Sequence, residues 1–175
     1  MTEILDSNER APDREAIRAP DTIGLSGAHW MQSRLFVVHV SGEETDERLS
    51  LVEGLLPPGA MTPLHVHPRA GQILYVLEGE LTAYLPGVTR VLRPGDAMYQ
   101  PVGVPQTHCV TSSEPARVLA VTTPAGFERF VAEAGVPAQS LTLPPPEESP
   151  PDLERLAAIA AEHGMELLGP PGMLP

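Results

Sequence analysis

His65 and His67 stand two residues apart in the segment Met61–His67, which reads as an extended strand. Side chains alternate faces along a strand, so both imidazoles project to the same side. At that spacing, about 6–7 Å between Cα atoms, two imidazoles can converge on one divalent ion or work as a paired acid and base. A polar strand face turned to water would use the same pattern. Gln106 and His108 repeat the spacing on a later segment, again on one face.

The residues around these side chains have a fixed order. Five residues separate Gly59 from His65, four separate His67 from Gln72, and six separate Gln72 from Gly79. This resembles the first motif of the cupin superfamily, G-x5-H-x-H-x4-E-x6-G, with one substitution. Gly95, Pro101 and Gly103 resemble its second motif, G-x5-P-x-G-x2-H, also with one substitution. The lead-in GEETDERLSLVEGLLPPG, the exit TTPAGFERF and the late LAAIAAEHGMELLGPP are similar to single-barrel, quercetinase-like cupins.

The resemblance implies a double-stranded β-barrel whose three histidines and one glutamate hold a divalent metal, the glutamate doubling as general base while dioxygen cleaves a ring. Gln72 stands where that glutamate is expected and Gln106 where the third histidine is expected. An amide keeps a coordinating carbonyl but has no charge and is no base near neutral pH. His108 lies one dipeptide step, about 6.6 Å, beyond Gln106. A His65/His67/His108 site with Gln72 is therefore one expectation, holding Fe, Ni, Mn, Co or Cu. A metal-free pocket is the other, with the histidines as acid/base groups and Gln72 and Gln106 orienting a carbonyl.

Met61, Met98, Tyr84 and Tyr99 are expected to help line the pocket. Tyr75 falls on the face opposite Gln72, and Cys109 on the face opposite His108. Glu53 is either a replacement carboxylate or a solvent-facing charge. His29, His39 and His163 show no partner spacing.

Positioning these groups requires many short strands. Segments rich in Val, Leu, Tyr and Thr alternate with Gly and Pro; the chain has 21 Pro and 15 Gly in 175 residues. Nine strands are predicted: 34–40, 49–56, 61–67, 72–77, 81–85, 89–92, 97–100, 106–111 and 117–123, an all-β jelly roll or barrel. An amphipathic helix is expected over 125–134, ended by Gly135, and another from the Asp152 N-cap to His163. The proline-rich stretch between them suits polyproline II, and the apolar tail after Gly164 suits packing on the barrel or a neighbour. The resulting division is an N-terminal arm over 1–28, a barrel over 29–124 and C-terminal helices with a tail over 125–175.

Composition narrows the partners. The net charge is −12, and all 11 basic residues are arginines, dispersed along the chain. Phosphate neutralisation has no basic cluster to draw on, so nucleic acid is not an expected partner. No apolar run reaches the ~20 residues that span a bilayer. One cysteine and a charged amino terminus without an apolar core suggest a reducing, cytoplasmic setting. A small-molecule substrate, a homodimer, and an oxygenase, cyclase, isomerase or dehydratase activity complete the expectations, beside a non-catalytic binding barrel.

Overall fold

A computed structural model describes residues 25–146 and 152–175; most of the 1–28 arm therefore lies outside the described residues. Twelve strands run β1 (Ala28–Met31), β2 (Arg34–Val40), β3 (Ser50–Leu56), β4 (Pro63–Val66), β5 (Gly71–Glu78), β6 (Leu81–Leu85), β7 (Val88–Leu92), β8 (Ala97–Gln100), β9 (Thr107–Val110), β10 (Ala116–Thr123), β11 (Val136–Pro137) and β12 (Glu166–Pro171). Two helices, α1 (Phe127–Ala134) and α2 (Leu153–Glu162), follow the tenth and eleventh strands.

One wall is a seven-stranded sheet in the order β11-β1-β2-β3-β10-β5-β8. The facing wall joins β12-β4 to β9-β6-β7 through bridges at Met61–Cys109 and His65–Gln106. The architecture is the expected all-β jelly roll with short C-terminal helices.

Alternation along β3 and β10 buries Ser50, Val52, Gly54 and Leu56 on one, and Ala116, Val118, Ala120 and Thr122 on the other. Antiparallel register stacks these into tiers across the seven-stranded wall. Leu56 sits beside Ala116, then Gly54 beside Val118 and Val76, then Val52 beside Ala120, Leu74 and Met98. The last tier is polar: Ser50, Thr122, Gln72 and Gln100. The apolar tiers and the facing Leu81, Ala83, Leu92 and Val110 form the core; burying each large side chain contributes about 1.5–3 kcal/mol.

Gly79 shows why one motif position excludes side chains. Its φ is +75°, and an added Cβ would lie 2.7 Å from Ala116 Cα and 2.9 Å from the Pro115 carbonyl. The turn from β5 into β6 thus presses directly on the start of β10.

The segment after β10 contributes more than helices. The tail pairs with the barrel, β12 running antiparallel to β4 with Leu167 opposite His65. The start of the proline-rich stretch adds β11 to β1, and the Trp30 indole donates to the Thr142 carbonyl over 2.8 Å. Ala138 is buried there with Ala28, Leu35 and Val37. That stretch packs on the outside of the large sheet; residues 147–151 lie outside the described residues.

Candidate functional site

His65 belongs to β4, and its backbone exchanges two hydrogen bonds with Gln106 at 3.0 and 2.8 Å. This pairing fixes both side chains on the inner face. His65 Nδ1 donates to the Pro63 carbonyl over 2.9 Å, because a carbonyl can only accept. The proton is therefore on Nδ1, and the Nε2 lone pair faces inward, where the Gln106 amide donates to it over 3.4 Å.

His67 lies just beyond β4, its ring 5.2 Å from that of His65 and nearly perpendicular to it. Its carbonyl accepts from Gly103 N–H at 2.9 Å, tying the end of β4 to the loop after Gln100. Among the described residues His67 Nε2, His108 Nδ1 and Gln106 Oε1 have no hydrogen-bond partner, although all three atoms are buried.

A cavity of about 80 Å³ lies against this cluster. Its polar lining includes His65, His108, Gln72, Thr62 and Arg34. Its apolar lining comes from the Val52, Gly54, Leu74 and Ala120 tiers and from Phe36, while α1, α2, β12 and the turn before β12 cover it with Phe127, Phe130, Leu156, Leu167 and Met165.

Burial keeps every histidine here neutral. It pushes His67 down to about 3, with His65 adding repulsion. It pushes His108 to about 3 as well, with repulsion from His65 and from the Arg34 charge adding to the burial. His65 is also lowered by burial, against a partial rise from the Pro63 carbonyl.

The expected residues divide on inspection. His65, His108 and Gln72 reach the cavity wall, and Gln106 and His67 touch His65 from behind it. Met61, Met98, Tyr84 and Tyr99 do not line the cavity. Met98 is packed in the apolar tier beside Leu74. Tyr84 alternates away from the buried Ala83. Met61 contributes its carbonyl, which accepts from Arg34.

Glu53 is not the replacement carboxylate. It faces outward, taking hydrogen bonds from His39 and Arg117 at 2.9 Å each. His39 therefore has a partner, and so does His163, whose Nε2 is 2.7 Å from Glu133 Oε2. Both partners lie too far along the chain for spacing to reveal them.

The donor set does not fit a divalent metal shell. No carboxylate among the described residues lines the cavity. Among the described residues no three or more His, Cys, Asp and Glu side chains are grouped to hold an ion. Of the expected His65/His67/His108/Gln72 set, the three histidines do not come together as one ligand group among the described residues, and Gln72 carries no charge.

Arg34 was missed by sequence reading. It is 6% exposed, donates to Gln32 Oε1 and, over 2.8 Å, to the Met61 carbonyl. A charged residue opening the apolar run LFVV was the available signal. Gln100 and Thr122 were also missed, though both share the strand parity of buried neighbours.

Comparison with known proteins agrees with this geometry. Residues 52–122 match the cupin domain family. A putative germin-like protein (subfamily 1 member 2) of Arabidopsis thaliana is 35% identical over 72 residues, 37% of this chain and 31% of the relative. Germin-like protein subfamily 2 member 2 of the same plant is 32% identical over 97 residues, 49% of this chain and 44% of the relative. The chain thus spans less than half the length of the curated relatives it matches. The structure of a predicted oxalate decarboxylase from Thermotoga maritima superposes with a TM-score of 0.50 at 24% identity, covering 52% of this chain and 80% of that one. No helix among the described residues is long and apolar enough to cross a membrane. The fold that holds these histidines is the jelly roll of cupin-fold structures, and residues 52–122 are the stretch that matches the cupin domain family.

Proposed function

We propose that the protein is a metal-independent enzyme that moves protons on a small, largely apolar molecule bearing a carbonyl, in an isomerisation, cyclisation or dehydration. The observation that carries this reading is a set of neutral, buried imidazoles on one wall of a small, mostly apolar cavity. His65 Nε2 and His108 supply lone pairs. Arg34, on the same cavity, favours the negative charge that develops on a carbonyl oxygen when an adjacent C–H is deprotonated.

An imidazole titrating near 3 is a weak base toward water. It becomes an adequate one only as an enolate forms beside it, since an adjacent anion raises the imidazole pKa. The reaction should therefore be confined to bound ligand. It should also persist from roughly pH 8 to pH 5, where an ordinary histidine would already be protonated.

The reading is tested by solvent-deuterium exchange at the α-carbon of β-tetralone, followed by NMR with untagged protein and chelator present. Exchange should exceed the buffer rate and fall at least about a hundredfold in His65→Gln or His108→Gln, the lower end of general-base contributions. Exchange no faster than buffer would sink the proposal. Exchange abolished by chelator and restored by a divalent metal would return the site to metal chemistry.

A further inference from the structure

A second hollow lies outside the barrel, where the β4–β5 loop, the start of α1 and the end of α2 meet. Its volume is about 340 Å³, and Glu47, Arg69, Arg129, Glu162 and His163 supply its ionisable lining. No residue lines both this groove and the barrel cavity. The space is far more than a single water requires.

Two arginines sixty residues apart in sequence come together there. A Cβ built on Gly164 would lie 3.4 Å from Arg69 Nη2. One built on Gly126 would lie 3.8 Å from Arg129 Nη2 and 3.6 Å from the His163 carbonyl oxygen. The two guanidinium groups thus flank the His163–Gly164 turn, over glycines that put no side chain into the groove.

The other charges leave both arginines with capacity to spare. Arg129 Nη1 holds Glu47 Oε2 at 2.7 Å, which leaves Nη2 for the groove. Glu47 reaches that position from a strained loop: Asp46 and Glu47 have φ of +51° and +63°, a region that side chains disfavour. His163 Nε2 is taken by Glu133 at 2.7 Å. Arg69 is exposed, and its side chain makes no hydrogen bond or ion pair among the described residues.

We propose that this groove binds a compact dianion, the group that a phosphate monoester or a short dicarboxylate presents. Planar guanidinium forks pair with anionic oxygens through short, charge-assisted bonds. Two forks on opposite sides of one groove match oxygens on two sides of one ligand. Glu162 stands exposed at the rim as a counter-charge, so a singly charged ion reaching one arginine gains little. A dianion engages both. The site is independent of proton transfer in the barrel.

NMR titration of the full chain with inorganic phosphate and with succinate tests it, at an ionic strength held constant by sodium chloride. At least one probe should bind saturably and shift the amide signals of Gly126 and Gly164. Arg69→Gln and Arg129→Gln should each weaken that binding at least about fivefold, as a charge-assisted contact is lost. Phosphate bound more tightly than succinate makes the ligand a phosphate monoester, and the reverse makes it a dicarboxylate; equal binding means that charge alone is read. Arg69→Gln removes no contact among the described residues, so its melting temperature without ligand should match the native chain. It keeps the test decisive should Arg129→Gln fail to fold. No saturable shift with either probe, or binding that Arg69→Gln leaves unweakened, overturns the proposal.

Discussion

Replacing a carboxylate by an amide at Gln72 changes charge far more than size, whereas an amide in place of a neutral imidazole at Gln106 leaves the charge unchanged and removes a ring-nitrogen lone pair. Both side chains stay buried and inward, and Gln106 turns its N–H toward the lone pair of His65. What distinguishes this site from a metal shell is therefore local to two side chains. Gln72→Glu combined with Gln106→His should convert the pocket to one that retains about one Fe, Mn, Ni, Co or Cu per chain, read by mass spectrometry of untagged protein. Native protein should retain far less. A double variant no richer in metal than the native chain would show that backbone placement, and not ligand chemistry, is the obstacle. His65, His67, Gln72 and His108 were all legible from spacing, because strand parity is strict. Whether their lone pairs converge was not, since that depends on register between β4 and β9.

At the scale of elements, the strands with regular alternation were read almost to the residue: β2, β6 and β8 have the predicted bounds. β1 was missed because AHWM is short and carries a histidine. β12 was missed because ELLGPP contains prolines that suit only an edge strand, which is the place it takes beside β4. The role of Glu128 in α1 was equally hidden. It is a buried carboxylate whose Oε2 accepts from Gly126 N–H at 2.7 Å and whose Oε1 accepts from Gly42 N–H at 3.1 Å. Burial alone would raise its pKa, but these bonds and the Ser50 hydroxyl beside it outweigh that and hold it below the usual range. One side chain thus caps the helix start and fastens it to the loop before β3. Glu128→Ala should lower stability by about 1–3 kcal/mol in denaturant titration, as two backbone donors lose their acceptor. An unchanged midpoint would mean that α1 is held by Phe127 and Phe130 alone.

For the whole molecule, the neutral histidines tie folding to pH. His67 and His108 titrate near 3 when folded, against 6.5 when exposed. Between those values the unfolded chain binds protons that the folded chain refuses, so stability is full above pH 6.5 and falls as pH drops toward 3. The slope should approach 1.4 kcal/mol per pH unit for each histidine, or about that much per tenfold proton concentration. His67→Gln with His108→Gln should flatten urea midpoints measured across this window; an unaltered slope would assign the acid sensitivity elsewhere. The tiers that bury these rings do not depend on what occupies positions 72 and 106. In the genetic code a glutamine codon becomes a glutamate codon by changing its first base, and a histidine codon by changing its third. On the proposed reading, a metal-bearing and a metal-free version of this barrel would thus be separated by two single-base changes, a mutational distance short enough to make the two chemistries near neighbours in sequence space.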